Sequence, residues 1–499
     1  MANHLYDAVF EPHAASRTAF LHLSDGTTLS HQDFAGTTAR LAATLAAMGV
    51  APGDRVAAQV EKSPTALALY AACLHAGAVF LPLNTSYTDQ EVAFFIQDCA
   101  ASVLFCDPAR AAQLETGVAE TSGCLVTMAA DGTGSWQTRH PSAPPVKAER
   151  KGDDLAAILY TSGTTGRPKG AMLSHDNLLS NAAALVDLWG MTAADTLLHA
   201  LPVYHSHGLF VACNVSLLAG ARMVYLPKFD PDQVIAAMPD CTVMMGVPTF
   251  YTRLLASSAF TSQASQNMRL FISGSAPLLA HTHQAFEDRT GHRILERYGL
   301  TETSMNTSNP LNALRKPGTV GLPLPDVDLR IDHAEPGAAG EIQVKGPNVF
   351  KGYWGLMEKT ADAFTTDGYF RTGDLGEIDA DGYVTIVGRS KDLIISGGLN
   401  IYPKEIETII DAQREVEESA VIGLPDPDFG ERVVAVVVET AKDAVDPIAL
   451  KNILARSLAK YKLPKEIITI DTLPRNAMGK VMKKDLRDLI SRKHLGMEH

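Results

Sequence analysis

Cysteine is scarce and badly spaced for metal or disulfide work. The six (Cys73, Cys99, Cys106, Cys124, Cys213 and Cys241) form no CxxC pair and all lie in the first half of the chain. This spacing disfavours a zinc ribbon or a CxxC redox motif and reads as free thiols in a reducing compartment, so a cytoplasmic location is expected. Basic side chains are in the minority, 43 against 56 acidic ones, for a formal net charge of -13. A general nucleic-acid or anionic-membrane surface needs the opposite balance. Long apolar runs are missing as well. The most apolar stretch, 66–83, is interrupted by His75, Gly77 and Pro82. It reads better as a helix capped by Ser63, with Pro64 in its first turn and Gly77 past its end, followed by a strand. The opening residues, MANHLYDAVFEPHAAS, lack the basic segment and apolar core of a secretory signal. No internal repeat or low-complexity tract stands out.

What is present is an ordinary globular composition, 46% hydrophobic and 20% charged, over 499 residues. That length exceeds what one core usually supports, so two or three domains are expected. Helical spacing from Phe34 to Met48 stops at Gly49, and Arg55 to Val60 reads as a strand. Similar pairs recur as far as the strand-like Ala156–Thr161, which predicts a largely parallel sheet layered with helices. From about Gly318 shorter strands take over, with Asp-Gly turn signals at 367–368 and 381–382. Beyond Arg389 the pattern restarts. Pro403 opens a helix with Ile406, Ile409 and Ile410 on one face, 433–438 (VVAVVV) is a buried strand, and Leu450–Leu458 is helical. The expected architecture is a large α/β N-terminal domain, 1–389, of sheets flanked by helices with a small β-rich subdomain. A connector at 390–392 leads to a smaller α+β domain, 393–499.

The strongest local motif runs from Thr161 through Ser162, Gly163, Thr164, Thr165 and Gly166 to Lys169, directly after a strand. Glycines let backbone N–H groups close around phosphate oxygens, hydroxyls add donors, and the lysine adds charge. The spacing is not that of a Walker A loop, because 171–173 reads as another strand and the helix starts only after Ser174. A plain glycine-rich hairpin is the bland alternative. Further on stand Tyr298-Gly-Leu-Thr-Glu302-Thr303, Tyr369-Phe-Arg-Thr-Gly-Asp374, Gly388-Arg-Ser-Lys-Asp392 and Pro474-Arg-Asn-Ala-Met-Gly-Lys480. Singly, Glu302 reads as a helix-start acid, Asp374 as a turn former and Lys480 as a solvated charge.

Together and in this order, these motifs resemble the adenylate-forming superfamily of acyl-CoA synthetases, luciferases and peptide-synthetase adenylation domains, over nearly the whole chain. The resemblance implies a large domain, a mobile C-terminal lid, and an active site in the cleft between them. It assigns Thr161–Gly166 and Lys169 to the phosphates of ATP. Gly274, Ser275, Ala276 and Pro277, with Glu296, Arg297, Tyr298 and Gly299, fall to the adenine-binding segments. Thr301 and Glu302 sit near the phosphates and Mg²⁺, with Thr161 and Glu302 as metal contacts. Asp374 holds the ribose beside Arg389, and Lys480 is the lysine of the adenylation step. Gly397 and Gly398 match the tunnel for the pantetheine arm of coenzyme A, and Lys391 the hinge. The chemistry explains the residue types: a carboxylate attacking an α-phosphate brings two anions together, which a cation and Mg²⁺ offset.

The acid is read from stretches after Pro202 and Pro248. Arg253 places a permanent cation on a helix facing the acyl position, suited to a second carboxylate, although local sequence alone reads it as an exposed helix charge. Ser206, His207 and Ser275 add donors, and Met305 closes the pocket behind a short chain. Runs such as LPLNTSYT, GVPTFYTRLL and ERYGLTETSMNTSNP resemble the malonyl-CoA synthetases within the superfamily. That resemblance implies malonate, with methylmalonate as a secondary substrate. Related synthetases are often silenced by acylation of the lysine matching Lys480, which makes a lysine acyltransferase an implied partner. A carrier-protein-loading module, a phosphotransferase and a dead nucleotide sensor are the competing classes. Free-CoA product, ADP release and absence of pyrophosphate exchange discriminate them in turn.

Overall fold

The structure, a computed structural model, describes residues 2–119, 123–139, 145–161, 168–332, 339–396, 399–476 and 479–494. Its N-terminal part holds two large, mainly parallel sheets. One has six strands in the order Cys124–Thr127, Val103–Cys106, Arg55–Gln59, Val79–Pro82, Leu155–Thr161 and Lys169–Ser174. All pairs are parallel except the last, an antiparallel hairpin. Its short strands are buried on both faces, as parallel strands covered by helices must be. The helix Pro64–Ala76 starts where Ser63 accepts the Ala66 N–H and ends at Gly77, whose φ of +72° glycine adopts without Cβ strain. Another helix, His31–Ala47, begins three residues before Phe34. Ser30 and Asp33 cap it reciprocally, a signal the apolar spacing alone does not carry.

The second sheet has nine strands. Six adjacent ones are parallel: Leu295–Leu300, Leu270–Ser273, Val243–Gly246, Thr196–His199, Arg222–Tyr225 and Ala19–Leu23. Ligands of open parallel sheets bind beyond the carboxyl ends of the strands. Here those ends lead into 200–207, into the helix Pro248–Ala256, and into 274–277. Three of the sequence's candidate segments thus emerge side by side.

A four-stranded antiparallel sheet follows, Asp328–Asp332, Gly340–Lys345, Phe370–Ile378 and Val384–Arg389. Both Asp-Gly pairs form turns, with Gly368 at φ +88° and Gly382 at φ +87°. A single 3-10 turn, Ser390–Asp392, leads to the last, five-stranded sheet. There Gly430–Glu439 is buried on both faces. Val433, Ala435 and Val437 meet Ile406, Ile410 and Leu454, while Val434, Val436 and Val438 meet Leu486 and Ile490. Among the described residues no helix is long and apolar enough to cross a membrane.

Candidate active site

The phosphate motif is the mouth of the antiparallel hairpin. Thr161 and Lys169 face each other in register, and Ser174 caps the helix His175–Leu188 that follows. The loop residues Ser162, Gly163, Thr164, Thr165 and Gly166 lie outside the described residues. Lys169 holds its Nζ 4.6 Å over the Tyr353 ring, and the Tyr353 hydroxyl donates to Glu302 Oε1 at 3.1 Å. Burial pushes the Glu302 carboxyl up, against the opposing pull of its own backbone N–H, Tyr353, Arg389 and Lys169. Such a carboxylate gains from a nearby cation. The Glu302 carboxylate and the Thr161 hydroxyl are hard oxygens of the kind that Mg²⁺ prefers. That donor set fits a Mg²⁺ ion which draws its remaining ligands from nucleotide phosphates, and when bound the ion supplies charge neutralisation on the leaving pyrophosphate.

The nucleoside side is built by strand register. Asp374 on Phe370–Ile378 stands opposite Arg389 on Val384–Arg389. Arg389 Nε donates to Asp374 Oδ1 at 2.7 Å, and the Tyr298 hydroxyl donates to Asp374 Oδ2 at 2.6 Å. Asp374 is 2% exposed. Burial, with Asp374 next in effect, drives the Tyr298 hydroxyl far above its ordinary range, so it stays a donor. Glu296 turns to the Gly318 N–H at 3.2 Å and to His283 at 3.7 Å, interactions of the scaffold. Thr301 and Ala276 are half-buried and Pro277 is exposed.

The C-terminal unit delivers Lys480. Its loop is closed by Asn476, whose Oδ1 accepts the Lys480 N–H at 3.0 Å and whose own N–H donates to the Lys480 carbonyl at 3.0 Å. A Cβ on Gly479 would lie 3.1 Å from Thr249 Oγ1, so the loop rests on the first turn of the helix Pro248–Ala256. Burial pulls the Lys480 amine down to about 8. The Arg389 charge acts in the same direction and Asp374 against it, which places the amine in the Asp374–Arg389 neighbourhood. Lys391 is exposed on the Ser390–Asp392 turn. Gly397 and Gly398 lie outside the described residues.

The acyl candidates come from several elements. Ser206 and His207 are buried, and Ser275, held at φ +71°, sets its hydroxyl 3.2 Å from His207 Nδ1. From His207 to Cys213 the chain forms a π-helix, a form that often marks functional sites and leaves no signature in hydrophobic spacing. Met305 is buried and pinned by Asn181, which accepts its N–H at 3.2 Å and donates to its carbonyl at 2.8 Å. Gly299 admits it, since a Cβ there would lie 2.7 Å from Met305 Cε and 1.8 Å from the Ser304 carbonyl oxygen. Arg253, expected to face the acyl position, is exposed and has no ion-pair or hydrogen-bond partner among the described residues. Arg297 is buried against Gly274, where a Cβ would come within 2.3 Å of its Cζ. The two-residue period of a strand sends it to the face opposite Tyr298.

A cation that the sequence reading missed is Lys62. It donates to His199 Nδ1 at 2.8 Å and to the His199 carbonyl at 2.9 Å, and stands 4.3 Å over the Tyr225 ring. It lines a cavity of about 250 Å³ shared with Tyr204, Phe229, Val247 and Phe250. A lysine just before a helix cap, flanked by buried strand, is the sequence signal that could have found it.

The Tyr298–Asp374–Arg389 cluster, the hairpin at Thr161 and Lys169, and Lys480 from the C-terminal unit are arranged as the resemblance to adenylate-forming enzymes leads one to expect. The chain belongs to the AMP-binding enzyme family: that family model matches residues 10–354, and the AMP-binding enzyme C-terminal domain matches 405–480. It is similar to ATP-bound MatB from Rhodopseudomonas palustris, with 50% identity, 100% of both chains covered and a TM-score of 0.96. It is also similar to a malonate-CoA ligase of Arabidopsis thaliana, 38% identical over 88% of this chain and 78% of the relative. An indoleacetate-CoA ligase of Aromatoleum aromaticum is likewise 38% identical, over 93% of this chain and 94% of the relative. The enzyme is an AMP-forming carboxylate-CoA ligase that uses ATP and CoA.

Proposed function

We propose that the acid is malonate, converted with ATP and CoA to malonyl-CoA, AMP and diphosphate through an enzyme-bound malonyl-adenylate. One observation carries this reading: the acyl wall is made of buried polar groups, Ser206, His207 and Ser273 beside Ser275, with Met305 closing one side. An indole or feruloyl ring would need an apolar wall there, because burying polar groups against a ring leaves them unpaired. A short acid carrying a second polar end meets them. Methylmalonate adds one methyl group and fits as a secondary substrate.

Within that reaction Lys480 neutralises the approaching carboxylate and α-phosphate, while Thr161, Lys169 and Glu302 serve the phosphate end with Mg²⁺. Tyr298, Asp374 and Arg389 hold the nucleoside. The unit 393–499 acts as a lid, turning at Lys391 so that the pantetheine thiol enters past Gly397 and Gly398 in the second step. The test is AMP release with CoA across acetate, malonate, methylmalonate, succinate, ferulate and indole-3-acetate. Malonate should give the highest kcat/KM; a higher value for ferulate or indole-3-acetate overturns the reading.

A further inference from the structure

The Lys62 side chain ends against a ring that is set to take a proton from it. Nζ donates to His199 Nδ1 at 2.8 Å and to the His199 carbonyl at 2.9 Å. The other ring nitrogen, Nε2, stands 2.9 Å from the Gly208 carbonyl oxygen, which can only accept. Nε2 therefore carries the hydrogen and Nδ1 the lone pair. Burial first, then the Lys62 charge, hold the imidazole well below its ordinary range and so neutral. An amine on a base that a third group orients is the arrangement that activates nucleophiles. The two bonds use both N–H groups of a neutral amine, and no donor or carboxylate among the described residues reaches Nζ.

The titratable groups around the amine do not supply a counter-charge. Tyr225, on the neighbouring strand, lies 4.3 Å below Nζ, and Cys213, on the π-helix, sets its Sγ 3.3 Å from His199 Nε2. Burial pushes the Cys213 thiol up to about 12 and the Tyr225 hydroxyl far above its range, so both stay neutral. Tyr204 lines the cavity, while Glu61 and Lys228 are exposed at its rim. Burial pulls the Lys62 amine down to about 7, with Cys213 acting weakly against it.

The cavity of about 250 Å³ gives an electrophile access to this amine. Two of its wall residues, Val247 and Phe250, flank Thr249, against which the Lys480 loop rests. A thioester formed in the cleft thus starts close to Lys62, at a high local concentration. We propose that Lys62 is an acylation site, at which Nζ takes the acyl group of the enzyme's own acyl-CoA product with His199 as the base. This rests on the placement of the cleft given above and not on the identity of the acid. The Nζ lone pair attacks the thioester carbonyl carbon, the N–C bond forms and the C–S bond breaks. The proton lost from Nζ passes to His199 Nδ1 and on to the departing thiolate, which leaves as CoA, so no further reactant is needed. The resulting amide cannot be protonated and keeps one N–H for the two bonds now made to His199, so the cavity wall must rearrange.

The experiment incubates the full-length enzyme, without ATP, with malonyl-CoA, acetyl-CoA or indoleacetyl-CoA, and maps acyl-lysine by peptide mass spectrometry between about pH 6 and 9. Lys228, exposed at the rim of the same cavity, is the internal control. With at least one donor Lys62 should be acylated about tenfold faster than Lys228 at about pH 7, where roughly half of a lysine so shifted is neutral. Its rate should level off above about pH 7, whereas an ordinary lysine goes on rising to about pH 10. His199→Phe should slow Lys62 about a hundredfold, the low end of base catalysis, and leave Lys228 unchanged. Lys62→Arg should lose the modified peptide. Lys62 acylated no faster than Lys228 by all three donors overturns the assignment, as does a Lys62 rate without a plateau. An unchanged rate in His199→Phe removes the base; if that variant does not fold, the wild-type pH profile decides. Label that appears only with ATP and free acid, CoA omitted, overturns the thioester as donor. A wild type that turns over no malonate overturns the substrate reading above and leaves this test standing.

Discussion

The two halves of the cleft treat charge in opposite ways. On the side proposed for the nucleoside, Asp374 is paired with both Arg389 and Tyr298 at 2.7 and 2.6 Å. On the side proposed for the acid, Arg297, Ser206, His207 and Ser273 are buried with bonds unmade, as is His205 Nδ1. A preformed clamp binds a common substrate with little reorganisation, whereas an unsatisfied chamber makes affinity conditional on a ligand with matching oxygens. On the proposed reading, specificity lies in unpaired groups and nucleotide binding in paired ones, with Lys480 reaching the paired side from the C-terminal unit.

The sharpest way to break this division is at Lys480. Lys480→Ala should lose adenylation by about a hundred- to a thousand-fold, the scale of removing one group that stabilises developing charge. Conversion of pre-formed malonyl-adenylate and CoA to thioester should be nearly untouched. Equal loss in both half-reactions, measured separately, would assign Lys480 a structural role. Next in size is Asp374→Asn, which strands Arg389 in a buried site. Urea unfolding should show a loss of about 3 kcal/mol, with weaker ATP binding. Tyr298→Phe, which deletes one hydrogen bond of the clamp, should cost only about 1 kcal/mol.

The pH profile offers a subtler probe. With its amine at about 8 in the free enzyme, Lys480 is cationic below that pH and neutral above it. Adenylation needs the cation, so kcat/KM for pyrophosphate exchange should fall as pH rises through about 8. At saturating ATP the limb should move higher, because the polyanion favours the charged amine. A profile flat to pH 10 would remove the cation from the mechanism. The smallest effect is expected from Tyr353→Phe. Loss of its 3.1 Å bond raises the Glu302 carboxyl further and should increase the Mg²⁺ needed for half-maximal rate only a few-fold.

Much of the paired half was legible in the sequence. The hairpin followed from a glycine-rich run between two strand patterns, and the resemblance set Arg389 beside Asp374, a pairing that the strand register makes. Capped segments such as Ser63 to Gly77 were legible because their signals are local. Of the unpaired half, Ser206 and His207 were marked and the burial of Arg297 was not. Arg297 sits one residue before Tyr298, and a motif that marks both does not reveal that they face opposite ways until the strand is placed. The π-helix His207–Cys213 leaves no mark in hydrophobic spacing, and the Lys62–His199 contact joins residues 137 apart, for which the sequence carries no local pattern.

One competition experiment tests the central claim most directly. Wild-type enzyme would receive equimolar malonate, butyrate, ferulate and indole-3-acetate with CoA and limiting ATP, and the thioesters would be resolved by mass. An acyl wall of buried, unpaired polar groups should yield malonyl-CoA as the dominant product. Predominance of feruloyl-CoA, indoleacetyl-CoA or butyryl-CoA would contradict the account.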